Sequence, residues 1–108
     1  MLKIVGTKIY LTRGDSAEIA VHIKKPDGTD YTPADDDECL MTVKKTTGDK
    51  KCVFQKEITD GEISIEPGDT QDLEYGDYYY DCQLKTAGGS VQTFIPPSLF
   101  RVMEEVTF

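Results

Sequence analysis

The chain predicts an all-β fold, an antiparallel sandwich of seven to eight strands, on three observations. Short apolar/polar alternations of period two recur from Thr7 to Val106. Turn-forming clusters such as Asp60-Gly61 and Ala87-Gly88-Gly89-Ser90 separate them. No segment longer than one turn carries helical periodicity. In a chain of 108 residues these elements make one domain, residues 1–108, with a single modest core.

Each element follows from its residues. Thr7 to Thr12 is a first short strand with Ile9 and Leu11 on one side, closed by the turn Arg13-Gly14-Asp15. Ala17, Ile19, Val21 and Ile23 alternate with Glu18, Ala20, His22 and Lys24, a half-buried strand. Pro26-Asp27-Gly28-Thr29 is a tight turn, and a polar loop around Pro33 leads into Cys39 to Lys45. Thr46 to Asp49 turns the chain into Lys51 to Ile58, and Asp60-Gly61 turns it again into Glu62 to Ile65. Pro67 to Leu73 is expected to form one helical turn capped by Asp69-Thr70.

Next comes an aromatic strand in which Tyr78, Tyr80, Cys82 and Leu84 share one face, and Tyr79, Asp81, Gln83 and Lys85 the other. It forms a hairpin with Val91 to Ile95. Pro96-Pro97 should break the ladder before a last strand from Leu99 to Val106. The expected inward residues include Ile19, Val21, Met41, Phe54, Ile63, Tyr78, Tyr80, Leu84 and Phe100.

Composition excludes several function classes. The net charge is −8, from 20 acidic and 12 basic residues, and the basic residues are scattered. Nucleic acid is therefore not an expected partner. The N-terminal Met1 to Gly6 lacks a basic region followed by a long apolar run, so neither a signal peptide nor a membrane span is expected. Three cysteines, Cys39, Cys52 and Cys82, make an odd set without C-x-x-C spacing. Free, buried thiols in a reducing cytoplasm are the expectation.

No constellation for catalysis is apparent, and no enzyme is expected. His22 is the single histidine, on an outward strand position, and no phosphate cradle or nucleophile elbow occurs. No cofactor is implied. The run Asp35-Asp36-Asp37-Glu38 offers carboxylates but lacks the order of a calcium loop, so no metal is assigned to it. Arg13-Gly14-Asp15 spells an integrin-binding tripeptide, yet its Gly and Asp fit an ordinary turn opening the next strand. The candidate interaction surface comprises outward Tyr75 and Tyr79 with Leu99, Met103 and Phe108 of the terminal segment. Apolar residues on both faces of residues 99–108 point to packing against a second copy or another protein. The competing explanation is a strand in the middle of its own sheet.

The spacing Gly76-x-Tyr78 matches the tyrosine corner of immunoglobulin-like sandwiches, in which the Tyr hydroxyl hydrogen-bonds to backbone upstream. The wider order of motifs is Arg13 to Asp15, Asp27 to Tyr31, Thr42 to Lys45, Gly68 to Asp81, Gly88 to Thr93 and Phe100 to Thr107. It resembles small immunoglobulin-like sandwich proteins of phage and prophage structural genes, especially the N-terminal domain of baseplate upper proteins. The resemblance implies a non-enzymatic structural or interaction module of a tail, baseplate or capsid. Its expected partners are other particle proteins or itself, and it carries no catalytic residues across. Such a module sits in the cytoplasm during assembly and in the virion afterwards. The alternative is a standalone binding module for carbohydrate or a host-surface protein.

Overall fold

The computed structural model describes residues 1–24 and 27–106. Pro26 of the expected turn and Phe108 of the expected surface lie outside them. Eight strands and one helical turn are found among the described residues: β1 (Leu2–Val5), β2 (Lys8–Thr12), β3 (Ala17–Ala20), β4 (Glu38–Lys44), β5 (Phe54–Glu57), β6 (Glu62–Ile65), α1 (Pro67–Thr70), β7 (Gly76–Lys85) and β8 (Val91–Met103). The architecture is all-β. Six strands form one sheet in the order β1-β2-β8-β7-β4-β5, and β3 pairs with β6 in a second, two-stranded sheet.

Period-two alternation decides which side chains meet. Ile9 and Leu11 of β2, Cys39, Met41 and Val43 of β4, Tyr78, Tyr80, Cys82 and Leu84 of β7, and Phe100 and Val102 of β8 are all buried. Ala17, Ile19, Ile63 and Ile65 from the second sheet join them in one hydrophobic cluster. Of the residues expected to point inward, Val21 and Phe54 are only partly buried and pack against that cluster. β3 ends at Ala20, and Val21 instead donates its backbone N–H to the Gly61 carbonyl at 2.8 Å.

Several expectations need correction. Pairing is not purely antiparallel, because β2 runs parallel to β8, with Ile9 opposite Phe100 and Leu11 opposite Val102. Periodicity reports which face a residue takes, never which strand lies beside it. Residues 2–5 form a strand of their own, paired with β2. Pro96-Pro97 do not end β8; the strand runs through them, and the missing donors appear as register shifts between Tyr80 and Gln83 of β7. Lastly, Glu66 rather than Asp69-Thr70 caps α1. Asp69 reaches back to accept the Glu66 N–H at 2.8 Å and pairs with Lys56 at 3.0 Å, while Thr70 is fully buried.

The terminal strand lies in the middle of its own sheet. Residues 100–102 pair with β2 on one side and with Gly76 to Tyr78 of β7 on the other. Its backbone offers no open edge there.

All three thiols are free, but not all are buried: Cys39 and Cys82 are, whereas Cys52 is exposed in the segment before β5. That segment was expected to be strand from Lys51, and β5 begins only at Phe54. Burial pushes the Cys82 thiol up to about 12 and raises that of Cys39 as well. A thiol reagent at mildly alkaline pH should therefore label Cys52 alone in the native chain and all three cysteines in denaturant. Mass spectrometry of the labelled protein counts them.

Burial also pushes the Tyr80 phenol up to about 12. Both groups bind their protons more tightly in the folded chain, so above about pH 9 the unfolded chain carries fewer protons and stability falls with rising pH. The loss starts with Cys82, steepens above pH 10 as Tyr80 joins, and is complete once pH passes about 12. Urea midpoints across that range should decline continuously, and a Cys82→Ser variant should lose the first part of the decline.

Candidate interaction surface

The side of the six-stranded sheet that faces away from the core is a mixed aromatic and charged surface. Strand register places Lys3, Tyr10, Arg101 and Asp77 across β1, β2, β8 and β7 in one row. Arg101 donates from Nε to Asp77 at 2.6 Å and lies 5.7 Å from the centre of the Tyr10 ring. The hydrogen bond from Arg101 holds the Asp77 carboxyl below the usual carboxylate range. One step along, Tyr79 stands between Leu99 of β8 and Lys44 of β4.

Next to Tyr79 the face is hollowed. The register shifts that accompany the two prolines leave Asp81 of β7 without a partner on β8. A depression of about 220 Å³ opens there, lined among others by Thr42, Lys44, Tyr79, Asp81, Gln83 and Pro97. A sequence device that removes backbone donors has thus shaped the side-chain surface.

The expected surface residues do not all lie together. Tyr79, 38% exposed, and Leu99 are cross-strand neighbours at the centre of the face. Met103 is half-buried, on the same side of β8 two positions beyond Arg101. Tyr75 sits in the turn before β7 under the Arg13 guanidinium, 4.2 Å from ring centre to Cζ. Phe108 lies outside the described residues. Tyr10, Arg101 and Pro97 were not among the expected surface residues. The alternation in Thr7 to Thr12 already sets Tyr10 opposite in facing to Ile9 and Leu11.

The Arg-Gly-Asp tripeptide is engaged by contacts within the chain. Arg13 donates from Nε to Glu105 at 2.8 Å and from Nη1 to the Leu73 carbonyl at 3.2 Å. Gly14, at φ 82°, donates its N–H to Thr70 Oγ1 at 2.8 Å, and a Cβ there would meet Glu105 Oε2 at 3.3 Å. The Asp15 carboxylate pairs with the N-terminal ammonium. Arg13 and Asp15 are thus both paired within the chain, Arg13 half-buried and Asp15 at the surface.

A second recess of about 480 Å³ opens at the end of the sandwich, where the segment after β3 meets the start of β4 and the β5–β6 turn. Its floor is apolar, from Ile23, Ile58 and Cys39, and Asp30, Asp35, Asp37, Glu57 and Asp60 stand around it with His22. Asp37 is engaged: it accepts the Tyr31 hydroxyl and the Ala34 N–H, and the Tyr31 bond lowers its pKa. Asp35 and Asp36 are exposed, and among the described residues no group of three or more potential ligands is arranged to hold a metal ion.

Tyr78 donates its hydroxyl to the Glu74 carbonyl at 2.9 Å, the upstream backbone bond that the Gly76-x-Tyr78 spacing anticipates. Among the described residues, no helix is long and apolar enough to cross a membrane. No protein family, curated protein or solved structure matches the chain.

Proposed function

We propose that this chain is an immunoglobulin-like, non-enzymatic interaction module of a phage or prophage particle, docking through the outer face of its six-stranded sheet. The observation that carries the docking reading is Tyr79. It is an exposed aromatic on a rigid strand, flanked by Leu99 and Lys44 and bordered by the hollow at Pro97. Such a residue brings a large apolar body and a polar tip at little entropic cost, as interface anchors do. The immunoglobulin-like reading is supported by the order β2-β8-β7-β4-β5 facing β3-β6, and by the Tyr78 hydroxyl bond. The particle setting rests on the order of sequence motifs. Its partners are other particle proteins, met in the cytoplasm during assembly and kept in the virion.

Particles induced from a strain encoding the chain should retain it through gradient banding. Tyr79→Ser should cut the retained amount at least tenfold, equivalent to about 1.4 kcal/mol. A chain that never bands with particles, or a variant retained as well as the parent, overturns this reading. The 480 Å³ recess favours a second reading, a carbohydrate- or host-surface-binding module. Glycan-array binding that survives Tyr79→Ser and is lost with Asp60→Lys would favour it.

A further inference from the structure

Among the described residues the six-stranded sheet ends in β1, an edge on which Leu2 packs partly against the core while Ile4 and Val5 are exposed. Its partner β2 fixes which backbone groups are free. Thr12 donates to the Met1 carbonyl at 3.0 Å, so by the alternation of an antiparallel ladder Lys3 and Val5 aim their backbone groups at β2. Leu2 and Ile4 aim theirs outward, where no strand among the described residues receives them. Ile4 shares the core side of the sheet with Ile9, its cross-strand partner. The second sheet has only two strands and leaves Ile4 46% exposed, next to Val5 at 51%. No proline, bulge or carboxylate interrupts this strand; its one charge is Lys3, which stands beside Tyr10 on the outer side of the sheet.

We propose that β1 pairs antiparallel with β1 of a second copy of this chain, about a two-fold axis through Ile4. This surface is distinct from the tyrosine face, and the proposal stands whatever partner that face takes. The register is dictated by charge. Pairing Leu2 with Ile4 of the other copy would set Lys3 directly opposite Lys3, which is destabilising. Pairing Ile4 with Ile4 sets Lys3 opposite Val5, where the lysine stem covers the valine, and Leu2 opposite Gly6. It also satisfies the outward Ile4 N–H and carbonyl on both chains and stacks the two exposed isoleucines on the core side.

The occupant follows from charge as well. Two chains of net −8 repel wherever carboxylates face each other; residues 1–12 contain none, and of their two lysines, Lys3 and Lys8, this register sets neither directly opposite another lysine. Contact at this end of the sheet keeps the acidic recess of each copy away from the other. The opposite edge, β5, is unlike it: Glu57 lies there, and Lys56 is held by Asp69.

Sedimentation of the full chain over a wide concentration range should show a shift from monomer to twice the monomer mass. Ile4→Arg, which opposes two cations on the axis, should abolish the heavier species. Ile4→Pro should do the same, because the N–H it removes is one that the pairing of two copies uses and that β2 does not. Both should keep the parent's far-UV circular dichroism. In a Cys52→Ser background, oxidised Ile4→Cys should form a disulfide dimer, since a hydrogen-bonded pair spaces its Cα atoms by about 5.5 Å. Val5→Cys should not, as Val5 lies opposite Lys3. A chain monomeric at every concentration overturns the proposal. A dimer that survives Ile4→Arg, or one lost with Tyr79→Ser instead, also overturns it.

Discussion

Replacing Phe100 with alanine should lower the unfolding free energy by about 3–5 kcal/mol, the largest loss of any single truncation in the chain. Phe100 is fully buried, and two rings stand edge-on to it: Phe54 at 5.7 Å and Tyr80 at 6.5 Å between centroids. Truncation empties the space between them and removes about 0.5–1.5 kcal/mol per aromatic pair beyond the area lost. The same strand position pairs with Ile9 on one side and Tyr78 on the other, so no neighbour is free to collapse into the gap. A domain of this size holds roughly 5–15 kcal/mol in total, so the variant should sit near the threshold of folding at room temperature. Urea denaturation followed by tyrosine fluorescence measures the loss. Phe100→Leu, which keeps most of the volume, should cost less than half as much.

Thr70→Val should cost about 1–3 kcal/mol although it conserves shape. Thr70 is the one fully buried polar side chain among the described residues, and its hydroxyl accepts the Gly14 N–H at 2.8 Å. Valine fills the same space and leaves that N–H without an acceptor. The loss should appear locally as well: amide exchange at Gly14 and Asp15 should speed up beyond what the global change explains. Thr70→Ser, which keeps the oxygen, should restore slow exchange at Gly14. If the valine variant matched the parent in both measurements, the bond would contribute nothing to the turn.

Much of the fold was legible because burial follows parity. Ile19, Met41, Ile63, Tyr78, Tyr80, Leu84 and Phe100 all take the buried face that alternation assigns them. What alternation cannot carry is pairing. Leu2 to Val5 has apolar side chains on both faces, so β1 carries no clean period and was missed. The parallel neighbour of β2 comes from the far end of the chain, where no local signal points to it. Proline signals a lost donor, and the register shifts beside β7 were the outcome rather than a strand end.

For the surface, the facing of Tyr79 was legible, whereas its neighbours Leu99 and Lys44 depended on registers that only the assembled sheet defines. The Arg-Gly-Asp turn shows the same limit. Its partners, Thr70, Leu73 and Glu105, come from segments far along the sequence.

The parallel pairing of β2 with β8 has a consequence for how the chain reaches this state. Ile9 and Leu11 pair locally with Ile4 and Leu2 but acquire their second strand neighbour only when Phe100 and Val102 arrive, so during synthesis the first hairpin stays unflanked until those distant residues emerge. Loop closure over that span is slow relative to local hairpins. In the interval Ile4, Ile9 and Leu11 are uncovered together, and nascent chains on neighbouring ribosomes meet with their stickiest segment already exposed. Crowded co-translational encounter, rather than dilution from a folded pool, would then be the moment at which copies of this chain select one another.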